Sequence, residues 1–147
     1  MGRLGKFLRL NRCDQVLLIH ALLLLAAVRL GLWLLSFRQL QMRLERSSCP
    51  SFRPGSAING PTPDRVAWAV TAASRYIPRS TCLAQALTAQ SLLARYGNES
   101  SLHFGVAKPD GSILEAHAWL ECGGRVVFGG GKPDGYVGFP SWKKETR

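Results

Sequence analysis

The chain has 147 residues, 46% of them hydrophobic and 19% charged, and a formal net charge of +10. That length holds one domain, or a small domain with an appendage, and excludes a large multidomain enzyme. The apolar content excludes wholesale disorder, so the excess of basic charge points to nucleic acid, an anionic membrane surface or an acidic partner.

The charge is uneven. Residues 1–60 carry nine basic side chains (Arg3, Lys6, Arg9, Arg12, Arg29, Arg38, Arg43, Arg46, Arg53) against Asp14 and Glu45, for +7. Residues 61–147 carry ten basic against seven acidic groups, for +3. The basic excess therefore sits beside the most apolar stretch of the chain. No zinc-finger, RNP or helix-turn-helix pattern accompanies it, which argues against nucleic acid as a partner.

The stretch Gln15–Phe37, QVLLIHALLLLAAVRLGLWLLSF, has Arg29 as its only charge. Its length suffices for a bilayer core, which needs about 20 residues, and one Arg costs only about 2.5–3.5 kcal/mol on the insertion scale. A signal peptide fits poorly, because the apolar run is long and no small-x-small site follows it. Basic residues at both ends favour no membrane orientation. Arg29, Ser36 and Arg43 recur every seven residues, which predicts one long helix, largely buried, with a single wet seam.

Ser47–Pro63 holds four prolines and two glycines and is expected to be a linker. Asp64 opens a helical pattern with Val66, Ala69, Val70, Ala73 and Ile77 on one face. Thr62 or Asp64 caps it and Pro78 ends it. A second helix follows, with Ser80 or Thr81 as N-cap and Gly97 beyond its end, so Cys82 falls in its first turn. After Gly97 the period changes to two. Ser101–Lys108 and Ile113–Cys122 are expected strands, Gly123-Gly124 a tight hairpin, and Arg125–Phe128 a third strand. Helices followed by an antiparallel meander give an α+β fold.

Cysteine count adds little, since Cys13, Cys49, Cys82 and Cys122 are far apart with no CxxC. A metal set of Cys82, His103, His117 and Cys122 lacks compact ligand spacing, and no metal or cofactor is expected. Cys82 with His117 is the stronger pattern. Unpaired N–H groups and the dipole at a helix start favour negative charge on a thiol there, and can hold an oxyanion. A histidine in mid-strand is rigidly placed to exchange a proton with the sulfur. Helix-borne Cys facing strand-borne His is the layout of papain-like and transglutaminase-like enzymes. His20 reads as packing, and His103 as a competing base. The imidazole needs an orienting group. An ideal hairpin puts Gly130 opposite His117, which leaves Asp134, folding back, or a backbone carbonyl.

The runs TCLAQALTAQSLLARYG, LHFGVAK and EAHAWLECGGRVVFGG, preceded by a basic, leucine-rich helix, resemble the short standalone B proteins of lasso-peptide biosynthesis. These are transglutaminase-like cysteine peptidases that cleave leader peptides. The resemblance covers nearly the whole chain. It implies a core with the Cys helix packed on a small antiparallel sheet, Cys82 as nucleophile, His117 as general base and acid, and a strand-borne Asp as third member, a role for which Asp134 is the candidate in this chain. It departs from the pattern twice: glycine stands where the acid is expected, and Gln85 stands where relatives often carry a basic residue. The implied organisation is a helical segment at 1–46, a linker at 47–63 and a catalytic unit at 64–147. The implied partners are the precursor peptide, a small leader-recognition protein and an ATP-dependent macrolactam cyclase. The implied setting is cytoplasmic, with membrane-surface contact through Arg3, Lys6, Arg9 and Arg12. The competing reading is a non-catalytic scaffold, or membrane-associated protein, that docks the precursor and the maturation partners.

Overall fold

The computed structural model describes residues 8–47, 60–107, 115–130 and 137–138. Among the described residues the helices that precede the sheet are α1 (Arg12–Leu34), α2 (Phe37–Ser47), α3 (Pro63–Ser74) and α4 (Cys82–Arg95). The strands that follow among the described residues are β1 (Ser101–Ala107), β2 (Glu115–Cys122), β3 (Arg125–Phe128) and β4 (Val137–Gly138). The sheet order is β3-β2-β1-β4, and every pairing is antiparallel. This is the expected α+β architecture.

The leucine-rich region differs from the single helix expected. It breaks at Leu35, whose backbone is extended (φ −122°, ψ 153°). Ser36 then starts α2 through a reciprocal cap: the Gln39 amide donates to Ser36 Oγ at 3.4 Å, and the Ser36 amide donates to Gln39 Oε1 at 3.2 Å. The Ser-x-x-Gln spacing is a capping box. Arg29 and Arg43 consequently lie on different helices. Gly31 lets α2 fold back, because a Cβ there would sit 2.6 Å from Leu40 Cδ1.

α1 packs against α3 and α4 and supplies Leu17, Ala21, Leu25 and Val28 to the core. Those side chains meet Val66, Ala69, Val70 and Ala73 of α3 and the alanine- and leucine-rich face of α4 in one continuous cluster. Across it, Leu102 of β1, Ala118 and Leu120 of β2 and Phe128 of β3 close the sheet side. The Arg65 guanidinium of α3 also grips the Asp14 carboxylate of α1, with Nε donating to Oδ1 at 3.2 Å and a terminal nitrogen donating to Oδ2. That pair is exposed and sets register more than it adds stability. Truncating Leu25, which is fully buried, is expected to destabilise the whole chain by about 2–5 kcal/mol. Urea unfolding of Leu25→Ala measures it. A transition unchanged from wild type would make α1 an appendage with no share in the core.

Local caps fit the expectations closely. The Thr62 hydroxyl accepts from the Arg65 amide and Pro63 opens α3, where its missing N–H costs nothing. α3 ends at Ser74, before the Pro78 expected to stop it. Gly123 and Gly124 both take positive φ (59° and 77°), the geometry of a two-residue hairpin that only residues without a Cβ adopt cheaply. β4, pairing through Val137 and Gly138 with β1, is an element the sequence pattern did not announce. Residues 48–59 of the expected linker lie outside the described residues.

Candidate active site

Cys82 is the first residue of α4. Three local features put it there. Arg79 adopts a left-handed backbone (φ 57°), which turns the chain sharply out of α3. Thr81 is the N-cap, its hydroxyl accepting from the Ala84 amide at 3.3 Å and its carbonyl from the Gln85 amide. The Gln85 side chain reaches back one turn, donating to the Ser80 carbonyl at 3.1 Å. With these bonds made, the Cys82 amide is an N–H of the first turn, where intrahelical acceptors are lacking.

His117 lies in β2, opposite Gly105 of β1. Cys82 and His117 line one open cleft of about 580 Å³. Its walls are Ala67, Trp68 and Thr71 of α3, Gln85 of α4, and the run Val126–Gly130 that ends β3. The Arg65 guanidinium lies 4.8 Å from the centre of the Trp68 ring, a cation–π contact on this wall.

A β-bulge interrupts the ladder close to the imidazole. Glu121 pairs with Val126 but Leu120 pairs with Phe128, so Val127 is the extra residue. The ideal hairpin register, which put Gly130 opposite His117, is shifted by one. In the outcome the Gly129 carbonyl meets His117 Nε2 at hydrogen-bond distance. A carbonyl oxygen only accepts, so Nε2 carries the proton. Gly129 has φ +95°, and a Cβ on it would lie 2.7 Å from the Ala118 carbonyl and 2.8 Å from Trp119 Cα. Glycine is required there by conformation and by space. Asp134 lies outside the described residues.

The other histidines are placed elsewhere. His20 is exposed on α1. His103 stacks on Trp119, its cross-strand partner, with ring centres 5.7 Å apart and 11° between planes. Its Nε2 lies 3.4 Å from a Glu121 oxygen, while Trp119 Nε1 donates to the other at 3.1 Å. This cluster does not line the cleft, so His103 is no competitor to His117. Among the described residues no three His, Cys, Asp or Glu side chains gather as metal ligands, and the set of Cys82, His103, His117 and Cys122 is not assembled. Cys13, Cys82 and Cys122 are free thiols.

Sequence reasoning missed Trp68 and the Val126–Gly130 wall. An aromatic at helical spacing reads as core, and a bulge leaves no signature in a four-residue strand.

An α+β fold that brings a helix-start cysteine and a strand-borne histidine to one cleft defines a cysteine-dependent class of enzyme. Residues 22–140 match the model of the transglutaminase-like superfamily, and the chain belongs to that superfamily, whose members are typically cysteine-dependent enzymes. The matched span begins inside α1, in keeping with that helix's place in the core. No curated protein and no solved structure matches the chain.

Proposed function

We propose that this chain is a cysteine peptidase that removes the leader from a ribosomally made precursor in lasso-peptide maturation. The observation that carries the reading is the shared cleft of Cys82 and His117, with Nε2 of the imidazole held by the Gly129 carbonyl. The specific substrate rests on the resemblance of the two motif-bearing segments to the lasso B proteins.

The chemistry follows from the tautomer. With its proton on Nε2, His117 meets the thiol with Nδ1 as base. Nδ1 takes the proton of Cys82 Sγ, and the thiolate attacks the scissile carbonyl. The oxyanion accepts from the Cys82 amide at the start of α4. The imidazolium returns its proton to the leaving amine, and water, deprotonated by the same nitrogen, hydrolyses the thioester. The Gly129 carbonyl dipole stabilises the imidazolium in the place where related enzymes use a carboxylate. A neutral acceptor does this less strongly than an anionic one. Apolar walls from Trp68, Val127 and Phe128 suit an extended peptide with an apolar side chain beside the cleaved bond.

The reading gives the chain three partners: the precursor, a small recognition protein that holds its leader, and an ATP-dependent cyclase that closes the ring. Reconstitution with a precursor and recognition protein encoded near this gene, read by mass spectrometry, tests it. Release of an intact leader is expected, and an uncut precursor in the complete mixture overturns it.

One observation favours a second reading, a non-catalytic scaffold: glycine stands at the strand position where the resemblance expects the acid. Iodoacetamide labelling separates the two. The peptidase reading expects Cys82 to be alkylated in preference to Cys13 and Cys122 at neutral pH, and His117→Ala to erase that preference. Equal labelling of all the thiols supports the scaffold.

A further inference from the structure

α1 is apolar on two faces, and only one of them is used. Leu17, Ala21, Leu25 and Val28 are sealed in the core, while the opposite side presents Val16, Ile19, Leu23, Leu30, Trp33 and Leu34. Leu23 is 63% exposed and Trp33 78%. Their spacing of three, four and seven residues makes one stripe, and from Val16 to Leu34 it runs about 27 Å along the helix. A contiguous apolar patch of that length on a folded surface marks an interaction site.

Charge says what covers it. Arg9 and Arg12 stand exposed at one end of the stripe, and Arg38, Arg43 and Arg46 of α2 at the other. Of the two acidic groups in this region, Asp14 is already bonded to Arg65. At the α1–α2 junction a hollow of about 170 Å³ is lined by Leu35, Gln39, Met42, Arg43 and Arg46. Two guanidiniums and two apolar side chains around one hollow match a phosphate headgroup with its acyl stem.

Two other occupants fit less well. By length and composition α1 could cross a membrane. Spanning would pull Leu17, Ala21, Leu25 and Val28 out of the core and break the contact of Asp14 with Arg65. A second copy is opposed by charge. Both ends of the stripe are basic, so parallel and antiparallel pairing alike set arginine against arginine.

The geometry points to α1 as an interfacial helix that lays this stripe on an anionic lipid bilayer, with the arginines of α1 and α2 among the headgroups. The helix lies in the membrane plane and keeps its other face in the protein. The inference is independent of the peptidase reading.

Sedimentation of the full chain with vesicles tests it. Pelleting is expected with equal parts phosphatidylcholine and phosphatidylglycerol but not with phosphatidylcholine alone, and is expected to fall as salt rises. The double variant Leu23→Glu, Trp33→Glu is expected to lose at least about tenfold in binding, more than one expelled apolar side chain commonly costs. Its melting temperature should not change, since both side chains are exposed. Arg43→Gln and Arg46→Gln are each expected to weaken binding about fivefold. Four outcomes overturn the proposal: no pelleting with anionic vesicles, equal pelleting with neutral ones, retention through an alkaline carbonate wash, or a concentration-dependent dimer that Leu23→Glu dissolves. The wash result would assign a span, and the dimer a second copy.

Discussion

Cys82→Ala is expected to abolish leader cleavage, lowering kcat/KM by about 10⁴-fold or more, with the fold intact. The side chain is partly exposed at the start of α4, and Thr81 rather than Cys82 caps the helix. Deleting the sulfur therefore removes chemistry without removing a cap, and gives up only a partly buried contact at the edge of the core. His117→Ala is expected to lose a similar factor. The double variant should be no worse than either single, because nucleophile and base act as one unit. Steady-state cleavage of a precursor peptide, with circular dichroism as the folding control, gives all three values. Residual cleavage by Cys82→Ala at the wild-type rate would remove this cysteine from the mechanism.

Gly129→Ala is the second large effect, and it acts on stability and activity together. A left-handed backbone costs a residue with a Cβ about 1–3 kcal/mol. Here the new methyl also meets the Ala118 carbonyl and Trp119 Cα, backbone atoms that cannot swing aside. The end of β3 must move, and the carbonyl moves with it, away from His117 Nε2. A displacement of about 1 Å at a catalytic group can cost about 10²-fold in rate, and that is the expected loss. Gly130→Ala is the control. Gly130 also has positive φ (80°), but nothing lies within 4 Å of its would-be Cβ. That variant should lower the melting temperature by the backbone cost alone and keep a kcat well above that of Gly129→Ala.

Asp134→Asn completes the test. If the carbonyl orients the imidazole, the amide variant keeps most of its activity, and the acid limb of its pH profile is unmoved. If Asp134 is the third member, Asp134→Asn loses the larger factor and Gly129→Ala only the smaller, structural one.

The parts of the fold fixed by short-range chemistry were legible in the sequence. Thr81 before an apolar helical pattern placed Cys82 in a first turn, and two adjacent glycines after an alternating strand placed the hairpin. A period of two puts Ala118 and Leu120 on one face of β2, and that face meets the helices. The Ser-x-x-Gln of the capping box at Ser36 was present in the sequence as well. It is masked there by apolar residues that continue the helical period on both sides, so one long helix was the simpler expectation. Both faces of α1 are leucine-rich, so periodicity alone could not say which of them the core would take.

What the sequence by itself determined is the order of α3, α4 and β1 to β3, the α+β class, and a cysteine and a histidine on the two kinds of element that suit their chemistry. Each of these depends on residues within a few positions of one another, through caps, turn dihedrals and side-chain period. Tertiary structure alone decided the rest. It placed Trp68 across the cleft from the sheet, sealed one side of α1 and left the other bare, and shifted β3 by one residue at Val127. Beyond that bulge the Gly129 carbonyl, one of the two kinds of orienting group expected, meets His117 Nε2. A bulge and a helix docking are settled by the balance of packing over the whole core, among residues far apart in the chain.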